Sequence, residues 1–308
     1  MISEEISASG PEGKLAGTLT LPDQHLDLDD KTPVAIIVPG SGPTDRDGNS
    51  PLGISANTYR FLSEALAEKG VPTVRIDKRG MFGSMGAAAD ANDVTIESYG
   101  DDLLAWIDTI RSRLPRKDGL LRRVVPMGHS EGGLVVLAAA NRIERPYKMV
   151  LIACPGRPLS DVLQEQLHAN VDDAGILAQA DAAIFFLQNG KHVATSGLDP
   201  ELAPLFSSAV QPFLIDLFKY DPAALMRKNK LPTHVLQGSR DLQVTVKDAE
   251  VLVGGSETAL LTLMPNINHV MKYVAEDTRE ANISTYSDGS LPIAPIVIEA
   301  ISAFLASS

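Results

Sequence analysis

The sequence has little of what disulfide-bonded, membrane-spanning or nucleic-acid-binding proteins depend on. It contains one cysteine, Cys154, in 308 residues, so no disulfide can form within the chain. No apolar run is long enough to cross a bilayer and the first residues are acidic, so we expect neither a spanning helix nor a signal peptide. The formal net charge of −12 disfavours nucleic acid and anionic membranes as partners. Together these absences predict a cytoplasmic protein.

The composition supplies enough apolar material for one large core. The chain is 44% hydrophobic and 21% charged, which is ordinary for a globular protein. It has no internal repeat and no low-complexity tract. A length of 308 residues allows a single α/β domain with an insertion.

Apolar runs of strand length alternate along the chain with segments of helical spacing. The alternating stretches 2–9 and 14–21 predict an antiparallel hairpin. Further strands are predicted at 34–38, 71–77, 124–128, 148–154, 233–238 and 259–264. Helices are predicted at 55–69, 97–113 and 295–305. This alternation predicts an α/β fold, with a mostly parallel sheet covered by helices on both faces.

One stretch combines a buried strand, a tight turn and a helix. The turn is Gly128-His129-Ser130-Glu131-Gly132, the G-x-S-x-G pattern that presents a nucleophilic serine. The two glycines let the strand end and the helix start approach closely around Ser130. The pattern by itself also marks ordinary turns, but the strand before it and the helix after it favour a nucleophile.

A serine hydroxyl needs a base to accept its proton and a carboxylate to orient that base. In an open α/β sheet such groups gather where strands end. Asp241 follows the strand predicted at 233–238, and His269 follows the one at 259–264. Each alone would more often be a turn or packing residue. The order Ser130, Asp241, His269 is that of an α/β-hydrolase, and it predicts a catalytic triad.

The five other histidines suit the role of base less well. His129 adjoins the serine and is expected to point away from it. The rest lie in an early loop, in the segment 157–230 or inside a predicted strand: His25, His168, His192 and His234.

The loop that follows the strand at 34–38 is rich in glycine and charge. Its glycines permit backbone N–H groups to point inward together. We expect the N–H of Ser41, together with that of Glu131, to bind an oxyanion. Asp45, Arg46 and Asp47 either serve the site or form an internally hydrogen-bonded turn, and the turn is favoured.

A second glycine-rich turn spans residues 78–84. Its spacing matches neither a dinucleotide fingerprint nor a P-loop, so nucleotide binding is not expected. No metal or organic cofactor is implied by the predicted chemistry.

Between residues 157 and 230 no β-rich run is found and helical spacing dominates. Five of the eight phenylalanines lie there: Phe185, Phe186, Phe206, Phe213 and Phe218. This predicts a core of residues 1–156 and 231–308, interrupted by a helical lid over an apolar pocket. The alternative is a helical pair packed on the sheet far from the chemistry.

Several motifs together resemble a bacterial serine carboxylesterase of the α/β-hydrolase superfamily. They are Gly128–Gly133, the Asp77–Gly80 turn, Gly238–Asp241 and Asn268-His269, and the loop 39–49 resembles that of esterase D-like members. The resemblance covers residues 14–156 and 231–305. It implies hydrolysis of esters with small to medium acyl or aryl groups through an acyl-enzyme, without a cofactor.

Two residues depart from the family pattern. Pro39 stands where many members have histidine, and Glu131 places a carboxylate beside the nucleophile. A peptidase, thioesterase or acyltransferase would use the same triad, and Glu131 would suit a cationic group such as a free amine. A non-catalytic receptor on a hydrolase scaffold is a third hypothesis, which an intact triad disfavours. The oligomeric state is not indicated.

Overall fold

An eight-stranded sheet forms the centre of the protein in a computed structural model that describes residues 1–23 and 28–307. We number its strands in chain order: β1 Ile2–Ser9, β2 Lys14–Leu21, β3 Val34–Val38, β4 Thr73–Ile76, β5 Val124–His129, β6 Met149–Ile152, β7 Thr233–Gly238 and β8 Ala259–Met264. The predicted loop from Pro22 to Thr32 lies partly outside the described residues, and His25 lies wholly outside them.

The strand order in the sheet is β1-β2-β4-β3-β5-β6-β7-β8. β1 and β2 form the predicted antiparallel hairpin, and β2 is also antiparallel to β4. All other neighbours are parallel, so β3 to β8 run in one direction. Their carboxyl ends therefore meet at one edge of the sheet, where ligands bind in α/β folds.

Ten α-helices surround the sheet in the described chain. They are α1 Thr58–Glu68, α2 Ile96–Arg113, α3 Glu131–Ala139, α4 Leu159–Asn170, α5 Ala174–Gln188, α6 Gln211–Leu217, α7 Pro222–Lys228, α8 Val246–Val253, α9 Arg279–Ser284 and α10 Pro295–Ala306. Within the described residues, none is both long enough and apolar enough to cross a membrane.

Alternate residues of β3 divide between two hydrophobic cores, one on each face of the sheet. Ile36 packs in the core that contains Trp106 of α2, whereas Ile37 packs with Leu62 of α1 and Ile301 of α10. Every residue of β3 is buried, as expected of a parallel strand covered on both faces. The predicted fold class is confirmed.

The chain between β6 and β7 forms helices α4 to α7 and, among its described residues, no strand. Arg157, the first residue of the predicted insertion 157–230, makes a bidentate ion pair with Asp248 of α8, at 2.8 Å for each nitrogen–oxygen pair. α7 packs against α3 and α8, while α4 and α6 reach over the carboxyl ends of the strands. This segment therefore contributes directly to the wall of the site.

Candidate active site

Ser130 lies at the tip of the turn between β5 and α3. Its backbone angles are φ 54° and ψ −125°, which are strained for any residue with a Cβ. Two hydrogen bonds of 2.9 Å hold the turn. The N–H of Ser130 donates to the carbonyl oxygen of Ile152, and the N–H of Gly133 donates to the carbonyl oxygen of Ser130. The strain predicted for this turn is present.

Close backbone packing explains the glycines of the turn. A Cβ at Gly128 would lie 2.3 Å from the carbonyl oxygen of Gly132. A Cβ at Gly132 would lie 2.3 Å from that of Val38 at the end of β3. Any larger residue at either position would force apart the turn between β5 and α3, which we call the elbow.

Asp241 and His269, which are 28 positions apart, meet in a buried hydrogen bond. The Nδ1 of His269 lies 2.8 Å from the Oδ2 of Asp241. The other carboxylate oxygen accepts the N–H groups of Gln243 and Val244 at 2.8 and 2.9 Å. These bonds fix the carboxylate, so that it receives the Nδ1 proton of His269 and leaves Nε2 as the basic nitrogen.

Ser130 and His269 line the same small cavity, of about 80 Å³. The structure therefore brings the three residues singled out by sequence into one place.

The ring of His129 lies against that of His269, with centroids 4.7 Å apart. Its Nε2 is 2.9 Å from the carbonyl oxygen of His269, and its Nδ1 is 2.8 Å from the hydroxyl of Tyr59. Burial lowers the pKa of His129 to about 3, so the ring is neutral. It donates through Nε2 and accepts the Tyr59 proton at Nδ1.

The two predicted oxyanion donors flank Ser130. Ser41 lines both cavities that Ser130 lines, and Glu131 begins α3. In the described chain, no protein group accepts a hydrogen bond from the N–H of Ser41 or of Glu131. Two free backbone donors beside a strained serine are the arrangement that an oxyanion requires.

The charged loop after β3 folds as the internal turn that was favoured. The Oδ1 of Asp45 accepts the N–H groups of Asp47 and Asn49 at 2.9 and 2.8 Å. Arg46 also binds Asp77 just after β4, with Nε 3.0 Å from Oδ2, and Asp47 pairs with Arg75. These contacts hold the loop against β4 and the residue that follows it.

A cavity of about 440 Å³ opens from Ser130 towards the helices of the segment 157–230. Its wall is mainly apolar, with Leu159, Val162 and Leu163 from α4 and Phe213, Leu214 and Leu217 from α6. Lys78 and Glu131 are the charged residues that line it. An apolar group of moderate size fits such a space.

Cys154 takes no part in this site. It is buried against Gly133, and burial raises the pKa of its thiol, which keeps it protonated. Among residues 1–23 and 28–307, no group of three or more His, Cys, Asp or Glu side chains is placed to hold a metal ion.

The mostly parallel sheet and the strained serine after its fifth strand define an α/β serine hydrolase. More narrowly, the chain belongs to the Hydrolase_4 family, described as serine aminopeptidase S33, whose model matches residues 52–271.

Esterase EstD of Thermotoga maritima is 28% identical to this chain over 243 residues, which are 78% of this chain and 54% of EstD. The chain thus spans about half the length of that relative.

Two solved structures show the same fold. Est1E from Butyrivibrio proteoclasticus has a TM-score of 0.59 at 16% identity, over 98% of this chain and 99% of that one. The esterase Pf2001 from Pyrococcus furiosus has a TM-score of 0.58 at 14% identity, over 99% and 92% of the respective chains. At such identities the likeness concerns the fold alone.

Proposed function

We propose that the protein hydrolyses carboxylic esters of small to medium acyl or aryl groups through an acyl-enzyme. The observation that carries the proposal is the hydrogen bond between Asp241 and His269. His269 lines the same cavity as the strained Ser130. The relative EstD and the structural neighbour Pf2001 are both named as esterases, which supports the same choice.

In the proposed reaction, the Oγ of Ser130 attacks the ester carbonyl while Nε2 of His269 takes its proton. Asp241 holds the imidazole in the required tautomer and stabilises its charged form. The N–H groups of Ser41 and Glu131 bind the oxyanion of the tetrahedral intermediate. His269 then returns the proton to the leaving alcohol, and water cleaves the acyl-enzyme by the same steps. Besides the ester and water, these steps use groups of this chain.

The acyl or aryl group enters the cavity of about 440 Å³ between Ser130 and helices α4 and α6. Those helices act as the lid, and their leucine, valine and phenylalanine side chains favour an uncharged group. The substrate is therefore a small molecule. We place the protein in the cytoplasm, in keeping with its single buried thiol.

A free amine is a poorer candidate for this cavity, although the family description names an aminopeptidase. The carboxylate of Glu131 is buried and lies 3.6 Å from the ammonium nitrogen of Lys78. A carboxylate already paired in this way offers little attraction to a second cation. Aminoacyl anilides and acyl thioesters, tested beside esters, measure this preference.

Hydrolysis of p-nitrophenyl acetate and butyrate by the wild type and by Ser130→Ala tests the proposal. Ser130→Ala is expected to lose activity and labelling by a fluorophosphonate, while Ser112→Ala, at an exposed position on α2, keeps both. Equal rates for Ser130→Ala and the wild type would refute the proposed nucleophile.

A further inference from the structure

Lys78 lies buried beneath the elbow, where desolvation lowers the pKa of its ammonium group and the carboxylate of Glu131 opposes that shift by favouring the charged form. It follows Asp77 after β4, and its side chain is only 5% exposed. An ammonium group removed from water is strongly destabilised unless hydrogen bonds and opposite charge compensate it.

Three groups surround the ammonium nitrogen of Lys78. It donates a hydrogen bond of 2.7 Å to the carbonyl oxygen of Gly40. It lies 3.6 Å from Oε1 of Glu131 and 5.4 Å from the centre of the Tyr99 ring. Oε1 of Glu131 is buried and accepts no hydrogen bond in the described chain, so the carboxylate acts mainly through its charge. The short contact is therefore the one to Gly40.

The carbonyl of Gly40 belongs to the same peptide unit as the N–H of Ser41. A trans peptide is planar, so its C=O and N–H point in opposite directions. No cis peptide bond occurs in the described residues. Fixing the oxygen on the side of Lys78 therefore directs the N–H of Ser41 to the other side.

Gly40 would otherwise be free to turn. Glycine populates more backbone conformations than any other residue, and a Cβ here would lie 3.1 Å from the Cβ of Ser130. Its own N–H donates to the hydroxyl of Tyr59 at 3.0 Å. With Tyr59 on one side and Lys78 on the other, both peptide units of Gly40 are held.

We propose that Lys78 is a positioning residue for the oxyanion site: its ammonium group holds the Gly40–Ser41 peptide so that the N–H of Ser41 faces the oxyanion formed at Ser130. A charge-assisted hydrogen bond to the carbonyl also polarises the peptide and strengthens its N–H as a donor. Glu131 then has two roles: its N–H is the second oxyanion donor, and its carboxylate balances the charge of Lys78. This inference rests on the proposed ester hydrolysis.

The test compares Lys78→Met, which keeps the length and loses the charge, with Lys69→Met at an exposed position after α1. We expect Lys78→Met to lower kcat for p-nitrophenyl acetate by about 10- to 100-fold, less than the 10²–10³ loss on removing a donor outright. KM should change less than twofold. Lys69→Met should match the wild type.

A second readout separates positioning from general damage. A trifluoromethyl ketone forms an oxyanion with the serine, whereas the corresponding alcohol fills the same space without one. Lys78→Met should lower the affinity for the ketone by the same factor by which it lowers kcat. Its affinity for the alcohol should stay within twofold of that of the wild type. Unchanged ketone affinity, or a loss confined to KM, overturns the proposal. If Lys78→Met does not fold, Lys78→Gln is judged by the same two measurements.

The two proposals fail differently. A wild-type protein that cleaves no ester and is not labelled at Ser130 overturns ester hydrolysis and, with it, the role of Lys78. A wild-type protein that does both, beside folded Lys78 variants that equal it, overturns the role of Lys78 alone.

Discussion

The ring of His129 hydrogen-bonds the backbone of His269, with Nε2 2.9 Å from the carbonyl oxygen. Ser130 directly follows His129 in the chain, so this bond joins the elbow to the loop that carries the proposed base. Tyr59 extends the connection to Gly40 of the loop after β3. Three segments of the proposed active site are thus held by one chain of neutral, buried hydrogen bonds.

His129→Phe is expected to destabilise the protein by about 1–3 kcal/mol, because the carbonyl of His269 loses its buried donor. It should also lower kcat, since the loop that carries His269 is no longer held. Urea denaturation and ester hydrolysis measure the two effects. His168→Phe, at an exposed histidine on α4, is the control and should stay within about 0.5 kcal/mol of the wild type.

The neutral state of His129 makes stability depend on pH. Burial lowers its pKa to about 3 from an ordinary 6.5, so between these values the unfolded chain binds a proton that the folded chain does not. The contribution of His129 to the free energy of unfolding is complete above its ordinary pKa. It is lost as the pH falls towards the pKa of His129 in the folded state. We expect up to about 1.4 kcal/mol per pH unit from this group.

Urea denaturation at several pH values measures that slope in the wild type and in His129→Phe. The variant should show a smaller loss of stability on acidification over the same range. Identical slopes would mean that His129 is not the group that takes up the proton.

Asp241→Asn should retain the fold and lose about 10³–10⁴ in kcat. The N–H groups of Gln243 and Val244 select an oxygen at the Oδ1 position, so the new amide group would face Nδ1 of His269 as a donor. The imidazole must then carry its proton on Nε2 and cannot act as a base. Asp181→Asn, in the exposed Asp181–His168 pair, is the matched control and should keep full activity.

Gly132→Ala should destabilise the elbow by about 1–3 kcal/mol or more, because the added methyl group would lie 2.3 Å from the carbonyl oxygen of Val38. Gly197→Ala is the control, since nothing lies within 4 Å of a Cβ there. Thermal unfolding compares the two variants. Equal melting temperatures would contradict the close packing of the elbow.

Leu214→Trp narrows the cavity between Ser130 and α6. The ratio of kcat/KM for butyrate to that for acetate should fall by about tenfold or more, because the longer acyl chain is crowded first. Leu260→Trp, at an exposed position on β8, should leave the ratio unchanged. An unchanged ratio in Leu214→Trp would show that the acyl group binds elsewhere.

Local patterns predicted much of the fold and three of the site's side chains. Apolar runs predicted six strands of the sheet and alternation predicted the β1–β2 hairpin, while Ser130, Asp241 and His269 each stand in a recognisable turn after a strand. α8 was missed although Thr245 and Asp248 form a capping box, a signal that the sequence carries. α9 is short and is capped by Thr278 alone, so its pattern is weak.

The contacts that position those side chains were not predictable in the same way. Tyr59 and His129 are 70 positions apart, and Lys78 and Gly40 are 38 apart. No local pattern encodes such pairs, because they form only when β3, β4 and β5 lie side by side in the sheet. The same holds for the packing of the His129 ring on that of His269, 140 positions away in the chain.

The ion pair between Arg157 and Asp248 ties the start of the segment 157–230 to α8. It fixes the point at which the chain leaves β6 to form α4, while Ser130, Asp241 and His269 all stand on loops outside that excursion. We therefore expect a foreign helical segment grafted after Arg157 to leave the three proposed catalytic residues in place and to change the choice of substrate.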